Sequence, residues 1–295
     1  MIELNQVTKK YGAQFAVNAL DLQIGDGEIV GIIGHNGAGK STTLKMIAGL
    51  LTPTSGMVRV MGYDMSKDST AAKRWIGYLP EESPLYENMT AREYLLFFAE
   101  LYGLTKMHAR VRIDELLNSL NLREQEKLTG EFSKGMKRKV AIARALLHDP
   151  RLLILDEPNS GLDPLTSFFI LNYLKTLKGE GKTIVLSAHN LFHVESICDR
   201  VAIIKSGRMI VCDNMEAIRA SLGNREFHVV FRAEASLDQE CRDYERKDGS
   251  YVFRTNDVGA MSAMLAKISE NKWTMVDLSV QESALEEIYV KLMTN

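Results

Sequence analysis

No apolar run in the chain approaches the roughly 18 residues needed to span a bilayer. The longest runs, "IVGIIG" and "RLLILDEP", are short, are bounded by glycine or charge, and read as buried strands. The N-terminus "MIELNQVTKK" lacks the apolar core of a signal peptide, so the expected location is the cytoplasm, and any service to a membrane must pass through a partner. Cysteine is scarce: Cys198, Cys212 and Cys241 are odd in number and have no metal-ligand spacing, so they read as reduced and structural rather than as a disulfide framework. An excess of one charge is also missing. A net charge of -2 and a pI near 6.3 weigh against a dedicated nucleic-acid binder, whose domain is usually strongly basic. What remains is 295 residues, 45% hydrophobic and 25% charged, enough for two soluble domains with well-buried cores.

Within that ordinary composition, "GHNGAGKS" fits G-x-x-x-x-G-K-[ST] without a departure. It is preceded by the β-branched run "EIVGIIG" and followed by "STTLKMIAGLL", with Leu44, Ile47, Ala48 and Leu51 at helical spacing. Strand, glycine loop and helix in that order make a phosphate cradle, in which loop N–H groups and the helix N-terminus face phosphate oxygens. Gly34, His35, Asn36, Gly37, Ala38 and Gly39 would form the loop, and Lys40 would reach the β- and γ-phosphates. The Ser41 hydroxyl would ligate Mg²⁺, with Thr42 beside it in the phosphate-binding set. A plain glycine turn capping a helix is the weaker reading, because it leaves the Lys-Ser pair and the preceding strand unexplained.

A second apolar run, Arg151 to Leu155, ends in Asp156 and Glu157, at the carboxyl end of a strand where open α/β sheets place their ligands. Asp156 is a candidate for Mg²⁺, and Glu157 is then positioned to orient and deprotonate an attacking water. Between Lys40 and Asp156 lies a helical insertion. "ENMTAREYLLFFAELYGL" carries Tyr94, Leu95, Phe98 and Leu101 on one face, and "HARVRIDELLNSLNL" carries Val111, Leu116, Leu117 and Leu120.

The insertion ends in "FSKGMKRKVAIARALLHDP". Four Lys/Arg among the first eight residues could mark a nucleic-acid patch or a solvated helix face. Ser133 is a good N-cap, however, and Met136, Val140, Ala143 and Leu147 follow at helical spacing, with the basic residues mostly on the other face. A capped helix start with a glycine and positive charge suits a phosphate better than a base edge.

With these motifs in place the chain resembles an ATP-binding subunit of an ABC transporter over roughly residues 1–210. The resemblance implies an α/β P-loop NTPase fold with an inserted helical subdomain, ATP and Mg²⁺ as cofactors, and ATP hydrolysis as the activity. Phe132 to Met136 match the family's signature helix. Phe stands for the usual Leu, Lys134 for the first Gly and Met136 for Gln, while the phosphate-facing Ser133 and Gly135 remain. The resemblance implies that this helix faces the P-loop of a second copy, with ATP held between two head-to-tail protomers. Tyr11 matches the aromatic that stacks on adenine; alone it would more often be a packing residue. Asp163 in "NSGLDP" matches the D-loop and is also a sensible N-cap before Pro164. His189 in "VLSAH" matches the switch histidine that contacts the γ-phosphate and steadies Glu157. Glu81, where the family most often has Gln, would offer Mg²⁺ a full carboxylate; the alternative is a solvated side chain, and some members of the exporter branch carry Glu there.

The expected organisation is an ATP-binding domain over 1–221, with its helical subdomain at about 87–150, followed by a small α/β appendage over 222–295. In the appendage "EFHVVFRA" alternates Phe227, Val229 and Phe231, and "WTMVDLSV" alternates Val276, Leu278 and Val280. "VGAMSAMLAKISE" and "SALEEIYVKLM" read as helices. Such a tail resembles the ABC-2-type exporter branch, and a stabilising or dimerising extension is preferred over a ligand sensor. Two functions follow from the resemblance. One is a homodimer, peripheral on the inner face of the plasma membrane, that powers integral membrane permease subunits and does not bind nucleic acid. The other is a soluble ABC ATPase acting on the ribosome or DNA. Those usually carry two such domains or a long coiled coil, and neither is present here.

Overall fold

A computed structural model describes the chain except for residues 125, 224, 234–243, 248 and 295; Cys241 therefore lies outside the described residues. The chain opens with the long antiparallel strands β1 (Ile2–Tyr11) and β2 (Gln14–Ile24). Next is β3 (Ile29–Ile33), buried at every position, which leads through the glycine loop into α1 (Lys40–Ile47). Strands β4 (Ser55–Val60) and β5 (Tyr63–Asp64), the short helix α2 (Ser69–Lys73) and β6 (Ile76–Leu79) follow. Three helices form the insertion: α3 (Ala91–Leu101), α4 (Lys106–Ser119) and α5 (Lys134–Leu146). The main chain then alternates through β7 (Leu152–Leu155), α6 (Pro164–Gly179), β8 (Thr183–Ala188), α7 (Leu191–Ile197), β9 (Arg200–Lys205) and β10 (Arg208–Asp213).

These strands build two sheets. One is antiparallel, in the order β2-β1-β4-β5; the other has the order β10-β9-β3-β8-β7-β6. In the second sheet β9, β3, β8, β7 and β6 run parallel and only β10 is reversed. Strands β3, β7 and β8 are buried along their whole length because parallel strands are covered on both faces. The core runs between the two sheets, from Ile2, Leu4 and Val58 to Ile32, Ile154 and Val185, with Leu44 and Ile47 of α1 packed into it.

The helices of the insertion start on side-chain caps. Thr90 and Glu93 form a reciprocal capping box at α3, and Thr105 caps α4. Three details differ from the sequence pattern. Leu101 and Val111 are exposed, and α4 instead buries Ala109, Ile113, Leu116 and Leu117. Leu116, Leu117 and Leu120 are buried as expected, and only Val111 falls outside the stripe, which begins instead at Ala109, a residue with too little apolar weight to register in a periodic pattern. The third difference concerns α5. It buries Gly135, Arg138, Val140, Ala141, Ile142, Ala143, Ala145 and Leu146, so it is covered on more than one side, and Arg138 is not on a solvated basic face.

The chain divides into two compact units, Met1–Met215 and Glu216–Asn295. The division falls a few residues before the expected boundary because α8 (Met215–Leu222) groups with the second unit. That unit continues with β11 (Arg225–Arg232), β12 (Tyr244–Lys247), β13 (Ser250–Thr255), α9 (Val258–Glu270), β14 (Thr274–Glu282) and α10 (Leu285–Thr294). Its antiparallel sheet has the order β12-β13-β11-β14. Val229 and Phe231 pack with Tyr251 and with Met264 and Ile268 of α9, and the Phe231 ring stacks on Trp273 at 5.0 Å between centroids. Val276, Leu278 and Val280 lie on a strand as expected but are exposed, because β14 is the edge strand and α9 packs on β11 and β13.

Candidate nucleotide site

The sheet order explains how distant motifs meet. β3, β8, β7 and β6 are neighbours and parallel, so the residues that follow them stand in a row at one sheet edge. Gly34 follows β3, His189 follows β8, Asp156 and Glu157 follow β7, and Pro80 and Glu81 follow β6. Four segments spread over most of the cassette are thereby brought together by topology alone.

The glycine loop wraps the N-terminus of α1. Gly39 has φ of 107°, and a Cβ there would sit 2.4 Å from the Ala16 carbonyl oxygen of β2, so both conformation and space demand glycine. Lys40 is 7% exposed and donates from Nζ to the Gly34 carbonyl at 2.8 Å, with the His35 carbonyl at 3.4 Å. The Ser41 hydroxyl donates to Asp156 Oδ1 at 3.1 Å.

Asp156 and Glu157 are both buried. Asp156 Oδ1 also accepts from the Ser187 hydroxyl at 2.5 Å, and Ser187 Oγ accepts the Glu157 N–H at 2.9 Å. Glu157 has φ of 49°, a left-handed backbone that costs a non-glycine residue roughly 1–2 kcal/mol. Its carboxylate oxygen Oε2 meets His189 Nδ1 at 2.5 Å, while the His189 side chain is 62% exposed. Arg138 of α5 closes the arrangement, donating to the Pro80 carbonyl at 3.0 Å and the Glu157 carbonyl at 2.5 Å. Burial pulls its guanidinium below the usual arginine range, and the negative charges of Glu81, Asp156 and Glu157 oppose that shift. On β6, burial and then the charge of Asp156 push the Tyr78 phenol up to about 12.

A cavity of about 780 Å³ gathers Tyr11, Phe15 and Ala16, the whole loop from His35 to Thr42, Glu81, Glu157, Ser160 and His189. Tyr11, the loop residues, Glu81, Glu157 and His189 are thus brought to one place. Ser133, Gly135 and Asp163 do not line it. Ser133 caps α5 by accepting the Met136 N–H at 3.2 Å, and Gly135 is buried where a Cβ would come within 3.0 Å of Thr166 of α6. Asp163 caps α6 by accepting the Thr166 N–H at 2.9 Å, and hydrogen bonds from Thr166 hold its carboxyl below the usual range.

Sequence reasoning missed Ser187 and Arg138. Ser187 had a signal, being the one polar residue in the run "IVLSA" that ends at the switch histidine. Arg138 had none, since three basic neighbours made it look like part of a solvated stripe. For metal, the oxygen donors Ser41, Asp156 and Ser187 converge, whereas no group of three or more His, Cys, Asp and Glu that could hold an ion occurs among the described residues. Hard oxygens in small number match a cation that keeps water and substrate phosphates as ligands, as Mg²⁺ does.

The family model for ABC transporters matches residues 17–160. Over 99% of its length the chain is 35% identical to the linearmycin resistance ATP-binding protein LnrL of Bacillus subtilis, covering 98% of that protein. It belongs to the ABC transporter ATP-binding family. It is also 35% identical to the bacitracin transport ATP-binding protein BcrA of Bacillus licheniformis over 99% of this chain and 97% of BcrA. Among solved structures, it resembles a dimeric ATP-binding cassette in a post-hydrolysis state bound to ADP and phosphate. That match has a TM-score of 0.67 and 30% identity and covers 73% of this chain and 99% of the other. As an ABC cassette the chain binds ATP and is an ATPase, on a P-loop NTPase fold. No helix among the described residues is long and apolar enough to cross a membrane.

Proposed function

We propose that this ABC ATPase powers a membrane exporter, with two copies closing head to tail over ATP against integral membrane permease subunits. The observation that carries the reading is a split within one chain: the phosphate loop, Glu157 and His189 share a cavity from which Ser133 and Gly135 are absent. Both are placed on the capped start of α5, where a hydroxyl and unpaired helix N–H groups can meet a phosphate presented by another copy. The names of LnrL and BcrA, a resistance protein and a transport protein for antibiotics, support export over import. The second unit, Glu216–Asn295, is assigned an accessory role, and the protein is expected on the inner face of the plasma membrane through its permease.

At each site the ring of Tyr11 stacks on the base, the loop N–H groups and Lys40 hold the β- and γ-phosphates, and Ser133 and Gly135 of the second copy complete the γ-phosphate cradle. Asp163 caps α6 at the D-loop between the two faces. Ser41 and Asp156 would hold Mg²⁺, with Glu81 as a further oxygen donor. Bound there, Mg²⁺ neutralises charge on the phosphate oxygens. Glu157 accepts a proton from water as that water attacks the γ-phosphorus, the β–γ bridging bond breaks, and ADP carries away the bridging oxygen. His189 holds the Glu157 carboxylate by its ring N–H and reports on the γ-phosphate.

Co-expression with a candidate permease, a neighbouring reading frame with about six apolar spans, should move the chain to the membrane fraction and confer ATP-dependent efflux. Lys40→Ala should keep the membrane association and lose the efflux, because the phosphates lose a charged donor in a buried pocket. A chain that stays soluble in that pairing and sediments instead with ribosomes or DNA would overturn the exporter reading.

A further inference from the structure

Arg138 is a buried guanidinium to which the mechanism above gives no task. It is 7% exposed, and a buried arginine is costly to desolvate unless its donors are satisfied. Its two terminal nitrogens are spent on backbone carbonyls from different elements, Pro80 at the end of β6 and Glu157 at the end of β7. The negative charges of Glu81, Asp156 and Glu157 act on it and favour its charged form. One side chain therefore joins three pieces: the helix that starts at Ser133, the root of the loop carrying Glu81, and the peptide of Glu157.

The Glu157 peptide is where such a strut matters most. Its left-handed backbone is a conformation that persists only when the surroundings over-determine it. Ser187 fixes the N–H side of the residue, Arg138 together with the Ser160 N–H at 3.1 Å fixes the carbonyl side, and His189 fixes the carboxylate. Removing Ser187 would also disturb Asp156, to which its hydroxyl donates. Whereas the loop from His35 to Ser41 lines the nucleotide cavity, Arg138 does not. It can therefore move the aim of Glu157 without moving the phosphate cradle.

We propose that Arg138 is a positioning residue for hydrolysis. It holds the left-handed turn that aims the Glu157 carboxylate at water, and it makes that aim depend on where α5 sits. Ser133 and Gly135 lie on the first turn of the same rigid helix, so seating them on the partner's nucleotide displaces or settles the guanidinium in the same motion. Each protomer thereby readies its own base when its own signature helix is engaged. This inference rests on the reading of Glu157 as general base and of Ser133 as a contact made in trans.

The test compares Arg138→Gln, Arg138→Lys and Glu157→Gln in the full chain, by steady-state ATPase kinetics, nucleotide binding and thermal unfolding. Arg138→Gln should lower kcat by about 10- to 100-fold, the scale expected when a reacting group is misplaced by a fraction of an ångström to an ångström. KM and Mg-ATP binding should stay within about threefold, since the cradle is untouched. Arg138→Lys keeps the charge but can serve the two carbonyls less well, so its kcat should fall between those of the wild type and Arg138→Gln. If Arg138→Gln does not fold, Arg138→Lys decides alone: a reduced kcat at unchanged KM supports the role, and a wild-type kcat overturns it. A folded Arg138→Gln with wild-type kcat, or one that loses nucleotide binding in step with kcat, also overturns it. Turnover by Glu157→Gln would instead refute the general-base assignment, whereas a dead Glu157→Gln beside a fully active Arg138→Gln refutes only the role of Arg138.

Discussion

Glu81 places a carboxylate at the catalytic edge, where the resemblance leads one to expect Gln more often. It lines the cavity with Ser41 and Glu157 and lies close enough to Arg138 to bear on its charge. A carboxylate is a harder and more charged ligand than an amide carbonyl, so Mg²⁺ should be held more tightly than by Gln. Titration of Mg²⁺ against ATPase rate should show Glu81→Gln needing several-fold more metal for half-maximal activity. Superimposable curves would mean that Glu81 does not reach the ion. Single residues differed in how legible they were. Lys40 and Ser41 were readable because loop, lysine and helix are contiguous, and contiguity is what a motif records. Ser187 acts on Asp156 from 31 positions away, and Arg138 acts on Glu157 from 19 positions away in the other direction; such pairings exist only after the sheet has formed.

Helix α5 shows what an element can reveal in advance. Its start was visible in Ser133 and the run of helix formers after it, and the structure gives Ser133 the cap it was expected to make. Its burial was not visible, because a helical period assumes one apolar face and α5 is covered on more than one. The edge strand β14 shows the opposite limit: alternation correctly marked a strand, yet alternation cannot say whether a neighbouring helix covers it. Ser133 allows the structural and functional tasks of α5 to be separated. Loss of the cap in Ser133→Ala should cost about 1 kcal/mol of stability. Ser133→Arg should go further, abolishing hydrolysis while Mg-ATP binding by the chain stays near the wild-type level, because Ser133 is outside its own nucleotide cavity. If Ser133→Arg still hydrolyses ATP and the wild type binds DNA or RNA with a steep salt dependence, the basic stretch is a nucleic-acid patch instead.

On the scale of the whole molecule, one copy holds half of each proposed site, and the account stands or falls on whether two copies complete it. Glu157→Gln keeps the size and hydrogen bonding of the side chain but removes the proton acceptor, so ATP should be bound and not cleaved. Two copies closed on uncleaved ATP should then stay closed, since ligand held by both faces stabilises the dimer by mass action. The most direct measurement is ATP retention through gel filtration, which reads closure even if the second unit, Glu216–Asn295, pairs the chains independently. Glu157→Gln with Mg-ATP should elute as a dimer carrying about one ATP per chain, with no comparable retention of ADP. Adding Ser133→Arg to Glu157→Gln should abolish that retention, because the closing face comes from the other copy. If Glu157→Gln releases its ATP like the wild type, or if the double variant retains ATP as well as the single one does, the ATP is not held between two copies.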